Sequence, residues 1–391
     1  MNFSSCLLLL VLSIEAEPRH SAELLFPLDG RHNHAPGIVE CPNGDLLASW
    51  YRGSGERSAD DVAVYGARLK KGEASWSEPF VMADTPGFPD CNTCMMIDRK
   101  GRLRLFWPTI IANSWESCLT KCRTSSDFLG PGPPAWDQET LVLLKPDDFA
   151  PEANAKLDQL AEKYKLLLTD SLRGEIAEGQ RKLEEKLYQR LGWQPRCKPT
   201  VLPTGRILLP LYTDTFSLSI MAVSDDDGES WYASEPLLGF GAIQPTVLRR
   251  DNGELAAYMR DNGMDHRIQS AVSTDDGLTW GNVAATDMPN PGSGLDGIRL
   301  ANGHWLLVYN DAVAGRNRLV VSVSDDEGKS WRWTRHLEDE PEGSYHYPAI
   351  VQGEDGTIHA IYSYFVSGGK SMKHAAFNEA WVQASRDETA R

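Results

Sequence analysis

The chain has 391 residues, 41% of them hydrophobic and 24% charged, and carries a formal net charge of −16. That composition suits a soluble globular protein. The excess of acidic groups excludes a general nucleic-acid binder and an anionic membrane surface, since both would repel it; a local arginine cluster still leaves room for an acidic ligand.

The first element is a short apolar run, Cys6–Ile14, followed by polar sequence. It is too short to span a bilayer and reads as a secretory signal over residues 1–16 with cleavage near Ala16, although its start lacks Lys and Arg. A secreted or periplasmic protein follows as an expectation, with no membrane insertion. The rest of the chain then holds six cysteines, Cys41, Cys91, Cys94, Cys118, Cys122 and Cys197. An even count in an oxidising compartment predicts disulfides or buried thiols rather than a zinc site.

From residue 17 to about 380 the sequence repeats. Six strand openings share a turn glycine and then an apolar run: Asn43-Gly44, Lys100-Gly101, Thr204-Gly205, Asn252-Gly253, Asn302-Gly303 and Asp355-Gly356. Three stretches, Ser224–Trp231, Ser273–Trp280 and Ser324–Trp331, read S-x-D-x-G-x-[ST]-W, with their tryptophans 49 and 51 residues apart. Worn copies end at Trp76 and Trp136. Asp-x-Gly makes a tight turn because glycine accepts positive φ and the aspartate bonds nearby backbone N–H groups. The tryptophan is expected to pack on the neighbouring unit. A unit of about fifty residues with period-two strands predicts an all-β, six-bladed β-propeller. Residues 147–191 interrupt it. Apolar residues there recur at helical spacing among Glu, Lys and Arg, in Ala153–Lys163 and Ile176–Leu187, with Pro151 in the first turn. We read two inserted amphipathic helices, either a cap over the site or a peripheral hairpin.

Asp boxes in a six-unit chain resemble the sialidase (neuraminidase) superfamily. The segments His34–Glu40, Asp61–Tyr65, Asn290–Asp296 and Tyr347–Ile350 resemble a sialidase-like branch of it. The resemblance covers nearly all of the chain after residue 16 except the insertion. It implies a glycosidase in which arginines clamp a sugar carboxylate and a tyrosine, rather than an anionic Asp or Glu, attacks the anomeric carbon. On that likeness Tyr347 is the nucleophile, Arg260 and Arg316 are clamp arginines, and the general acid falls at Asp60 or Asp61, with Asp61 preferred. Lys198 adds positive charge, and Tyr345, on the same strand face as Tyr347, lines the pocket while His346 points away. Two positions depart from the family. His34 stands where the first clamp arginine belongs, and Gln244 where a carboxylate would take the tyrosine proton.

Three readings follow: an exo-α-sialidase-like hydrolase acting on the terminal acidic sugar of a glycan, a uronate-acting lyase using His34 and Tyr347, and a non-catalytic carbohydrate-binding propeller. The partner is a glycan or acidic sugar in each. No cofactor is predicted: His32 and His34 lack a third metal ligand, the run Asp225–Asp227 belongs to a turn, and no phosphate-binding glycine loop is present.

Overall fold

In a computed structural model of the protein, residues 17–384 are described, apart from 147, 167 and 240. The proposed signal segment lies outside them. Six antiparallel sheets form the blades of a β-propeller. Blade I holds strands His32–Glu40, Leu46–Gly53, Ala63–Leu69 and Phe80–Ala83; blade II runs from Cys94 to Leu141, blade III from Gln194 to Ala233, blade IV from Ala242 to Pro289 and blade V from Asp296 to Asp339. Blade VI combines Ser344–Gln352, Ile358–Val366 and Gly369–Phe377 with the N-terminal strand His20–Leu24 as its outer edge, in register His20 to Phe377. The ring is therefore closed by main-chain hydrogen bonds between the two ends of the described chain.

Apolar clusters sit between successive blades. Leu47, Leu105 and Trp107 join blades I and II, Leu208, Leu255 and Trp280 join III and IV, and Leu306, Val321, Ile350 and Tyr362 join V and VI. The Asp boxes supply much of this contact. Trp231 of blade III lies edge-on to Phe106 of blade II at 6.0 Å, and Trp331 of blade V to Tyr258 of blade IV at 5.9 Å. In the box of blade V, Gly328 has φ +81° and no room for a side chain, since a Cβ there would fall 2.3 Å from the Tyr258 hydroxyl. The box turns follow the third strands, whereas the loops between second and third strands emerge at the other end of the ring.

Within a box the aspartate organises the turn. Asp226 accepts hydrogen bonds from the Ser230 hydroxyl and backbone N–H and from the Ser224 hydroxyl. The Ser230 hydroxyl foremost holds its carboxyl down at about 2, against an ordinary 3.8. A carboxylate depressed on folding stabilises the protein above its unfolded pKa and loses that contribution as pH falls through the folded one. Asp226→Ala should cost about 1 kcal/mol at neutral pH, by analogy with loss of a helix cap. The difference in melting temperature from wild type should shrink between pH 4 and pH 2; thermal denaturation across that range is the check.

The insertion contains helix α1 (Phe149–Lys163), with Pro151 in its first turn, and helix α2 (Asp170–Leu183), capped by the Thr169 hydroxyl. A short third helix, α3 (Lys186–Arg190), replaces the continuation of α2 to Leu187 that the sequence suggested. The chain leaves helical geometry at Glu185, so Leu183 buries fully while Leu187 stays exposed. Phe149, Ala150, Ala153 and Leu183 pack on Leu209, Leu211 and Ile220 of blade III. No described helix is long and apolar enough to cross a membrane. The six cysteines are buried and unbridged; burial pushes their thiols upward, Cys197 to about 12, which makes them inert at neutral pH.

Candidate functional site

The innermost strands of blades I, IV and VI share one irregularity. Pairing slips by one residue between His34 and Gly37, between Ile243 and Thr246, and between His346 and Ala349. At each slip a residue with positive φ precedes a proline: Ala35 (51°), Gln244 (58°) and Tyr347 (54°). Left-handed backbone is costly for a residue with a Cβ and persists only where its surroundings impose it. The bulge re-aims the inner-strand side chains toward the central axis.

These bulges and the loops after the second strands enclose a cavity of about 150 Å³, lined by His34, Tyr51, Glu56, Asn92, Trp115, Tyr212, Asp214, Gln244, Arg260 and Tyr347. A larger groove of about 770 Å³ lies at the opposite face, beside Arg19, His304 and Glu379, and lacks any comparable arrangement of bases and cations. No described residue of the insertion lines the central cavity.

Tyr347 is the centre of the cavity. Arg260 Nη1 donates to its hydroxyl at 2.6 Å, and the guanidinium carbons of Arg196, Arg260 and Arg316 lie 5.2, 5.9 and 5.6 Å from its ring centre. Burial alone would raise the phenol pKa. Arg260 and Arg316, a hydrogen bond from Gln244 and then Arg196 outweigh it, and the net displacement is below the ordinary tyrosine value. Arg316 is further fixed by donating to the Gly292 carbonyl at 2.9 Å. His34 stands edge-on to Tyr347 at 4.4 Å and shares a hydrogen bond with Ser363 at 2.8 Å. Burial first, then His346, His32 and the arginines, hold His34 well below its ordinary pKa, so it is a neutral imidazole.

The other positions singled out in the sequence lie elsewhere. Asp61 is exposed and closes its own loop, accepting from the Ser54 backbone and hydroxyl, and Asp60 accepts from Asn113. The same loop instead sends Glu56 to the cavity, where it accepts from the Tyr51 hydroxyl at 2.7 Å and meets His32 Nε2 at 3.1 Å. Lys198 spends its charge on buried Asp296, at 2.7 Å. Tyr345 is buried in the blade V–VI cluster against Tyr364, while His346 turns inward to His34 at 4.8 Å. The bulge at Tyr347 breaks strict alternation and thereby reverses the two assignments.

Two carboxylates thus reach the cavity. Burial raises Glu56, but its bonds from His32 and Tyr51 more than offset this and it lies below the ordinary glutamate value. Asp214, held by Gln194 at 3.0 Å, is raised above the ordinary aspartate value by burial. Sequence reasoning missed Glu56, Asp214 and Arg196. Glu56 and Asp214 come just after second strands and Arg260 lies at the end of one, and that shared end of the blade is the signal that would have found them. No group of three or more potential metal ligands occurs among the described residues.

A family model described as a BNR repeat-like domain matches residues 44–151 and 152–360. A sialidase from Micromonospora viridifaciens is 28% identical over 174 residues, 42% of this chain, and the match spans only 26% of that protein. A protein of unknown function from Dyadobacter fermentans superposes with a TM-score of 0.69 at 15% identity, over 91% of this chain and 97% of the other. An intramolecular trans-sialidase from Ruminococcus gnavus gives 0.67 at 14% identity, over 91% and 96%. At such identities the structural likenesses show the fold alone. With the family model covering most of the chain, the protein belongs to the BNR repeat-like domain family and is a sialidase-like propeller.

Proposed function

We infer that the protein is a glycoside hydrolase of the sialidase type that removes a terminal acidic sugar from a glycan. The observation that carries this reading is a tyrosine hydroxyl held by Arg260 at 2.6 Å, with a second guanidinium, that of Arg316, 5.6 Å from the same ring. Two guanidinium forks suit a sugar carboxylate. In that complex the Tyr347 oxygen attacks the anomeric carbon as the bond to the leaving glycan oxygen breaks. The leaving oxygen needs a proton, and Asp214 is the cavity carboxylate that keeps one to higher pH. Glu56, anionic at neutral pH, suits taking a proton from the water that later releases the sugar. Action on extracellular glycans fits the secretory reading of Cys6–Ile14.

The test is release of fluorophore from a fluorogenic sialoside by the purified protein. Absence of turnover at high enzyme, with unsaturated products formed from uronate polysaccharides, would replace hydrolysis by lyase chemistry. The proton donor is tested separately. Asp214→Asn should lower kcat on a natural sialoglycan by about 10² to 10⁴-fold. The loss should be much smaller on an aryl sialoside whose leaving group needs no proton, and the alkaline limb of the pH profile should change. Equal losses on both substrates would remove Asp214 from that role.

A further inference from the structure

Arg196 is 1% exposed, yet its guanidinium has no carboxylate partner among the described residues. Its terminal nitrogens donate to two backbone carbonyls, Pro348 at 2.7 Å and Pro36 at 3.4 Å, and its Nε has no partner. The buried carboxylate of Asp296 is already taken by Lys198 and by the Thr246 hydroxyl. A buried charge without a counter-ion is costly, and such sites persist where an opposite charge is supplied. The anion-forming group on its face is Tyr347, whose ring centre lies 5.2 Å from the guanidinium carbon.

We propose that Arg196 is a positioning residue that favours the phenolate form of Tyr347, in place of a proton-accepting carboxylate. Three observations converge on it. Gln244, the side chain beside the phenol on the neighbouring bulge, is an amide and cannot take a proton, so loss of the phenol proton has to be favoured by charge rather than by a base at that position. Arg196 ties together the carbonyls that follow the bulges at Ala35 and Tyr347, so the same guanidinium fixes the angle of the ring it charges. It also lies buried behind the ring, whereas Arg260 lines the cavity and is open to a ligand.

That last difference matters for the hydrolase reading, on which this part of the inference rests. When a substrate carboxylate engages Arg260 and Arg316, their charge is shared with it, and Arg196 is left as the undivided cation on Tyr347. The other titratable rings around the phenol stay uncharged. His34 and His346 are held neutral by burial, and Tyr51 and Tyr212 are raised well above the ordinary tyrosine value, burial being the leading cause. The carboxylates on the cavity wall, Glu56 and Asp214, are bonded to Tyr51 and Gln194.

The experiment needs no substrate. The near-ultraviolet tyrosinate signal is titrated in the wild-type protein and in Tyr347→Phe, and the difference isolates one of 12 tyrosines. The difference should show a phenolate forming below the ordinary pKa of about 10. In Arg196→Gln, which can still donate to the Pro348 carbonyl but carries no charge, the transition should move up by about one unit, tenfold in phenolate fraction at a given pH. Arg196→Lys should restore most of the shift. A wild-type transition at or above the ordinary value, or the same transition in a folded Arg196→Gln protein, would overturn the proposal. Should Arg196→Gln fail to fold, equal transitions in Arg196→Lys and Gln244→Glu would overturn it as well, since the second places a negative charge beside the phenol and must raise it. The lowered transition and its loss in Arg196→Gln, with no sialoside turnover, would reject the hydrolase reading and leave the role of Arg196 intact.

Discussion

Tyr347→Phe is expected to abolish sialoside turnover, lowering kcat by at least about 10³-fold, as removal of a nucleophile does elsewhere. The substitution deletes one oxygen and leaves the ring between Arg196, Arg260 and Arg316. The bulge geometry at this position belongs to the backbone and the following Pro348, so the fold should be kept, and thermal denaturation checks this. Arg260 loses an acceptor at 2.6 Å but retains Asn262 Oδ1 at 2.9 Å. Tyr345→Phe is the matched control. Its ring sits in the cluster between blades V and VI, outside the cavity lining, so its kcat should stay near wild type. Turnover surviving in Tyr347→Phe would remove covalent tyrosine chemistry from the site.

The fold was legible because its determinants are local and repeated. Each box needs only a serine, an aspartate, a glycine and a tryptophan within eight residues, and each turn glycine marks the start of a second strand. The insertion announced itself by a change from period two to helical spacing, though its last helix did not, because the break at Glu185 answers to the burial of Leu183 against blade III. The site was legible only in part. Tyr347, Gln244, His34 and Arg260 were found through short motifs around prolines and strand ends, and the structure gathers all four at one cavity. Tyr345 and His346 were exchanged because strand alternation was assumed across a bulge. The X-Pro steps at Ala35, Gln244 and Tyr347 were the available warning, since a proline cannot continue a ladder and its predecessor is restricted. Asp60 and Asp61 were singled out by likeness, and only tertiary geometry shows that Glu56 is the carboxylate of the loop that turns inward. Arg196 was passed over because buried, unpaired arginines leave no local pattern.

Gly294→Ala should disable the site through a residue that carries no chemistry. A Cβ on Gly294 would lie 2.6 Å from Tyr347 Cδ1, closer than side-chain carbons approach their neighbours in folded proteins, and a tight 3.0 Å from the Gln244 side-chain oxygen. One of the three groups must move. The ring is held on one face by Arg196 and at its hydroxyl by Arg260, and Gln244 is fixed on its own bulge, so the clash is shared among the groups that set the attack geometry. A displacement approaching 1 Å at a reacting atom costs on the order of 10² in rate. Overpacking of this kind also destabilises by about 1 to 3 kcal/mol. The two effects are separable by comparison with Gly101→Ala. That turn glycine has φ +74° and open space around its Cβ position, so alanine there strains the backbone far from the cavity. Gly101→Ala should lower the melting temperature with kcat unchanged, whereas Gly294→Ala should lower kcat by about two orders of magnitude and shift the Tyr347 titration. If the two variants lose stability alike and both keep full turnover, the narrow packing of Tyr347 against Gly294 has no part in positioning the nucleophile.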